Sequence, residues 1–409
     1  TKEIKVAVLR ALFELLGLSP GLAQLATQGS EEPVKQLQQA VTALVHRTLA
    51  AGTDMQGRLA FWGQPLLRDD ELQDWHRRLA ALKTFTEALS PYNTVGKLKN
   101  LRIEADDIDA QKPNLAILDA VEALLTLVAG LGPAAAYLSQ AEILLPNDHP
   151  WVAQAQTGRT ETLAKLATAK AGASHAQVTA DCRQTQARLK KDYITAYIAS
   201  HSKARLGVTE DKTKTALRKD PRLVALRTLA DISMMHPSDI TAFEDRLASL
   251  KSCYQLTDTE LAVSPVCPHC GFKPANEALA FGVAGNALTQ LDEDLDRLLA
   301  TWQQGLLDCL DDPNVQADFS LLKPADRQRV EDFVAARELA LPISPGFVAA
   351  VQEALSGLER IIVTSGDIKQ ALLAGGSPAT PDELRKRFES FINDHCKGKD
   401  VGKLRFMVE

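Results

Sequence analysis

Residues 252–274 read SCYQLTDTELAVSPVCPHCGFKP, and this stretch decides how the rest of the chain is understood. It holds three of the six cysteines, Cys253, Cys267 and Cys270. Helical patterns enter it on one side and leave on the other, so it reads as the fastened tip of a largely helical molecule. Two thiolates separated by two residues can ligate one ion, and Gly271 permits the tight turn that follows. Cys267-Pro-His-Cys270-Gly is therefore a zinc-knuckle pattern. Cys253, with thirteen residues between it and Cys267, is a third candidate ligand. A structural zinc takes four ligands, and the fourth falls to His201 or His236 on the preceding helical patterns, with His201 preferred. His269, between the paired cysteines, is expected to point away. Two other arrangements stay open: a hook in which Cys267 and Cys270 of two chains share one zinc, and three thiols that hold no metal. A thioredoxin-like role is disfavoured because no βαβ pattern surrounds the pair.

Composition sets the bounds around this tip. The 409 residues, 45% of them apolar, can bury sizeable cores and suggest roughly two to four domains. Aromatic residues make up only 5%, and the Leu- and Ala-rich balance favours helices packed on helices. With a formal charge of −6 and a pI near 5.8, the chain as a whole does not attract nucleic acid or anionic membrane. A metal-like cysteine pair argues for a reducing cytoplasm rather than a secreted disulfide scaffold. No signal-peptide pattern and no run of about eighteen apolar residues is evident, so neither export nor membrane insertion is expected. The first residue is Thr1, which suggests a processed product or a piece of something longer.

In chain order, Lys2 to Gly17 places Ile4, Val8, Leu12, Leu15 and Leu16 on one helical face. Further amphipathic helices are expected over 31–51, 70–89, 113–129 and 133–144, and together these make an N-terminal bundle, 1–146. The small basic cluster of Lys97, Lys99 and Arg102 reads as a solvated face. From 147 to 320 the pattern becomes more hydrophilic. It is interrupted near Gly172 and then runs from His175 to Leu206 with sparse apolar positions, as suits a long arm or hairpin carrying the cysteine insertion. Residues 183–227 hold twelve basic side chains against four acidic ones, a net of +8. Lys190, Lys191, Lys203, Arg205, Lys212, Lys214, Arg218 and Lys219 are the candidate phosphate contacts of that segment, the alternative being a solvated or protein-docking face. Asp292, Glu293, Asp294 and Asp296, on a helix over 288–310, form a charged surface able to pair with it.

The last block, 321–409, changes character. Arg360 to Val363 is the best strand candidate, and Leu404 to Val408 is a second that can pair with it. Between them lie two helices, the second opened by Thr380-Pro381-Asp382-Glu383 with cap, first-turn proline and capping-box Glu383 in register. The order resembles a small winged-helix domain, with Arg385, Lys386 and Arg387 on its second helix. The expected fold is thus mainly α: a helical bundle, a helical arm with a zinc-knuckle tip, and a small C-terminal α+β domain.

Five phrases, YNTVGKLKN (92–100), LPNDHPW (145–151), HSKARLG (201–207), VCPHCGFKP (266–274) with Cys253, and LLAGGSPATP (372–381), resemble the C-terminal part of the PglY-type ATPases of BREX-like bacterial phage-defence systems. The resemblance spans nearly the whole chain. It implies the helical, zinc-bearing region that follows a P-loop motor, with other defence components as partners, and it adds to His201 as the fourth ligand. No G-x-x-x-x-G-K-[ST] occurs here, so no nucleotide-binding residue carries over. Neither H-E-x-x-H nor G-x-S-x-G is present, and no cysteine–histidine pair suggests a nucleophile and base. The expectation is a non-catalytic assembly region with a structural zinc. A DNA-contacting module and a zinc-hook homodimer are the alternatives.

Overall fold

The structure, a computed structural model, describes residues 5–170, 174–277 and 282–409. Ile4 and the expected interruption near Gly172 lie outside those residues. The chain begins with α1 (Val6–Leu15), α2 (Leu22–Thr27) and α3 (Glu32–Arg58). A small hairpin, β1 (Ala60–Phe61) with β2 (Gln64–Pro65), leads to α4 (Asp69–Glu87). Then come α5 (Val95–Leu98), α6 (Ala105–Asp109), α7 (Lys112–Glu142), α8 (Pro150–Lys170) and α9 (His175–Ala204). Next are α10 (Val208–Leu217), α11 (Pro221–Leu229), α12 (Pro237–Ser249) and the single-turn α13 (Asp258–Val263). The remainder runs α14 (Ala284–Leu310), α15 (Pro313–Asp318), α16 (Pro324–Ala336), α17 (Pro345–Ala354), β3 (Glu359–Val363), α18 (Ser365–Leu373), α19 (Pro381–Cys396) and β4 (Leu404–Val408). The fold is mainly α. It divides into two units, residues 1–201 with 255–278, and residues 202–254 with 279–409.

In the first unit α3, α4 and α7 pack on one another, and α8 lies against α7. The sequence splits α7 at Pro133, whereas the structure keeps one helix through it. Proline there removes one ladder hydrogen bond, but Leu124, Leu127 and Leu131 before it and Ala135 and Leu138 after it are all buried on one continuous face. Among the described residues α7 is also the one helix long and apolar enough to cross a membrane by length and composition. Gly158 allows α8 to approach α9 closely, since a Cβ there would stand 2.6 Å from Leu189 Cδ1.

The expected arm is not a free arm. α9 belongs to the first unit and buries Val178, Cys182, Thr185, Gln186, Leu189, Tyr193, Tyr197 and His201. Half of that face is polar, so a count of aliphatic residues understates it. Its polar groups find partners, Gln186 donating to the Leu131 carbonyl of α7 at 3.2 Å.

In the second unit α10, α11 and α12 pack against α14, whose Leu288, Leu291, Leu295, Trp302 and Leu306 are buried, and α16 packs on α17. Part of the basic segment meets the acidic helix here, Arg222 bonding Asp292 and Asp296 as well as Asp220; Arg246, beyond that segment, bonds Asp294. Asp220 also caps α11 by accepting from the Arg222 backbone N–H at 2.8 Å. The Arg222 guanidinium holds the Asp220 carboxyl below its usual range. A depressed carboxylate stabilises the fold above its unfolded value near pH 4, and that contribution is lost as pH falls through the folded value. Asp220→Asn keeps the cap and removes the charge. It is expected to cost about 1 kcal/mol at neutral pH, with the difference from wild type shrinking as pH falls below about 4 and through the folded value; urea denaturation across that range checks it.

The C-terminal strand–helix–helix–strand order is present, and the Thr380 capping box forms as its residues imply. The strands pair in parallel, Glu359 with Leu404 through Val363 with Val408, whereas the wing of a winged-helix domain is an antiparallel hairpin. Ile361, Val363 and Leu404 form a small core beneath Ile368 and Phe391.

Candidate metal centre

The last full turns of α9 present one face at four-residue spacing: Leu189, Tyr193, Tyr197 and His201, all buried. The segment 255–277 is laid along this face and held by phenols. Tyr137 on α7 donates to the Leu261 carbonyl at 2.6 Å, Tyr193 to the Pro265 carbonyl at 2.5 Å, and Tyr197 to the Phe272 carbonyl at 2.5 Å. Burial pushes the Tyr137 and Tyr193 phenols well above their ordinary range, so both remain protonated donors. Tyr197 has a second task, accepting the Cys267 backbone N–H at 2.9 Å. Its one oxygen therefore grips the chain on both sides of the Cys267–Cys270 pair. The pair itself turns as a knuckle: the Gly271 N–H bonds the Cys267 carbonyl at 2.9 Å, and Gly271 adopts φ +62°, a left-handed conformation that suits glycine.

Cys253 is set by backbone pairing. Leu206 N–H donates to the Lys251 carbonyl at 3.0 Å, and Cys253 N–H donates to the Leu206 carbonyl at 3.2 Å. Leu206 follows His201 by five residues. The outcome is one group, His201, Cys253, Cys267 and Cys270, whose ligand atoms all lie within 4.8 Å of one another. His201 and Cys267 are buried and the other two partly so. Cys270 Sγ stands 3.4 Å from His201 Nε2, close to the roughly 3.5 Å between a thiolate and an imidazole sharing one tetrahedral zinc. Phe272 packs edge-on to the His201 ring at 5.8 Å, Tyr197 stacks on it at 6.3 Å, and these two rings also meet each other at 5.8 Å, so the imidazole is one corner of an aromatic cluster.

These four side chains can hold a metal ion. Three soft sulfurs and a nitrogen, with no carboxylate among them, suit zinc and do not suit calcium or magnesium, which take oxygen ligands. His236 takes no part, being exposed at the N-cap of α12. His269 points away from the group, to Glu260 at 2.9 Å.

The candidate phosphate contacts fare differently. Arg205 and Lys214 are buried, 6% and 8% exposed, and Lys214 donates to the Leu250 carbonyl. Burial lowers the Lys214 pKa, which weakens it further as a phosphate contact. Lys190 lies 4.3 Å over the Tyr137 ring. Lys191, Lys203, Lys212, Arg218 and Lys219 are exposed. Of the eight, Lys190 and Lys191 belong to the first unit and the other six to the second.

Residues 5–201 match the model for the fifth domain of DUF6079, a family of unknown function, and residues 209–301 match the model for its sixth domain. Together the matches cover well over half of the chain. The chain belongs to the DUF6079 family. No curated protein and no solved structure matches it. In family terms His201 is the last residue of the fifth-domain match, and the three cysteines lie in the sixth.

The tyrosines are what sequence reading missed. Tyr193, Tyr197 and His201 recur every four residues, which puts two aromatic rings on the same helical face as the histidine. That spacing alone favours His201 over His236.

Proposed function

We propose that this part of the DUF6079 chain is a non-catalytic assembly and interaction region, fastened by one structural zinc and serving a bacterial phage-defence ATPase. The observation that carries the structural half is the Cys3His group, four candidate ligands gathered at one place, the number that a structural zinc takes. A catalytic zinc keeps an open position for water, and four protein ligands leave none. The defence half rests on the five sequence phrases and the partners they imply. Zinc here ties the end of α9 to the cysteine segment, which is the role of a fastener.

The test is made in cells protected by such a system, with the full-length protein carrying Cys267→Ser and Cys270→Ser. Expected is a loss of protection and of co-purifying defence components, with ATP hydrolysis by the full-length protein retained. Protection and assembly at wild-type levels in the metal-free variant would overturn the proposal.

A further inference from the structure

Away from the metal group, the second unit contains a cleft of about 310 Å³ where the end of α16 meets the start of α17. Its walls are Phe333, Leu339, Ile343 and Phe347, the two phenylalanine rings meeting edge to face at 5.3 Å. The loop that forms one side is fixed rather than loose. Gln303 on α14 holds it from both directions, donating to the Arg337 carbonyl and accepting the Leu339 N–H, each at 3.0 Å. Arg337 closes α16 in a left-handed conformation and bonds Asp311, and Ser344 caps α17 by accepting the Phe347 N–H at 3.1 Å. A cleft with pinned walls and apolar lining is preformed for an apolar group.

The rim selects the sign of what accompanies that group. Asp332 and the exposed Glu338 line the cleft, and Asp332 accepts a neutral partner, the Gln328 amide at 2.7 Å. The one basic residue of the lining, Arg329, has its charge answered by Asp326 at 2.6 Å, and its guanidinium lies against Gly346. The rim is therefore net acidic.

We propose that this cleft takes an apolar side chain of a partner polypeptide, with a lysine or arginine beside it in the partner's sequence. The burial of an aromatic or leucine anchor supplies the affinity, and the two carboxylates supply the preference for a basic neighbour. This deepens the interaction reading by naming the chemistry of a partner, and it does not depend on the metal.

The probe is an immobilised array of random-sequence peptides, incubated with the full chain. Retained peptides are expected to share an aromatic residue or leucine next to lysine or arginine. Binding of a retained peptide, followed by fluorescence polarisation, should fall about tenfold when Asp332→Lys and Glu338→Lys are combined, and should be lost when Ala336→Trp fills the cleft. The charge reversals sit at exposed positions, so they report even where the tryptophan variant fails to fold. No retained peptides, retained peptides without the pattern, or unchanged binding in the charge-reversed chain would each overturn the proposal. Metal content measured on the same preparation separates that failure from a failure of the zinc assignment.

Discussion

Cys267→Ser is expected to lower folding stability by roughly 4 kcal/mol and to leave the chain without its metal. Cys267 is the most buried of the three cysteines, 1% exposed, and its backbone is already fixed by Tyr197. Serine puts a hydroxyl where a thiolate is needed, and three ligands cannot close a tetrahedral structural site. Since the site is assembled only in the folded chain, its binding free energy is folding free energy, and losing the ion returns that energy. Urea denaturation with parallel metal analysis measures both quantities. Wild-type protein treated with a strong chelator should unfold at the midpoint of the Cys267→Ser variant. A midpoint unchanged by either treatment, with the metal gone, would show that the ion does not fasten the fold.

The second large effect is expected from Tyr197→Phe, a change of one oxygen. That oxygen serves the Phe272 carbonyl and the Cys267 N–H, so its removal takes a hydrogen-bond partner from each of two buried backbone groups. At about 1–3 kcal/mol for each group, a loss of roughly 2–6 kcal/mol follows. Metal affinity should also fall about 10- to 100-fold, as it does when a group that orients a ligand is removed. Tyr193→Phe is the control, because its phenol serves only the Pro265 carbonyl, outside the Cys267–Cys270 turn. That variant should lose about 1–2 kcal/mol and keep wild-type metal affinity. Competition against a chromophoric zinc chelator measures the affinities. Equal affinities in the two variants would remove Tyr197 from any role in positioning the ligands.

Much of this was legible in the residues, for identifiable reasons. The Cys267–Cys270 turn was legible because a knuckle is a local event, completed by Gly271 within the same five residues, and the grouping of Cys253 and His201 with it follows from the fold. The Thr380 cap and the 360–363 strand were likewise legible because a capping box and a β-branched run such as Ile361-Ile362-Val363 act over a few positions. What depended on distant partners was not. α9 was read as a sparse arm because Tyr193, Tyr197 and Gln186 do not score as core, and they become core only when carbonyls from residues 131, 265 and 272 arrive to meet their polar ends. The same holds for Lys214, counted as a surface charge until the Leu250 carbonyl is seen to receive it. Pro133 was given its usual meaning as a helix breaker, and the buried leucines on either side overrode it. The parallel sense of β3 and β4 needs a crossover connection, which the residues between them supply, and local strand patterns do not show which way that crossover returns.

The most direct test is elemental analysis of the purified chain together with its mass in solution. One zinc per monomeric chain is the predicted result, with Cys253, Cys267, Cys270 and His201 closing the site. Half a zinc per chain in a dimer would contradict the closed site in favour of a shared hook, and a chain that folds with no metal at all would contradict the account at its centre.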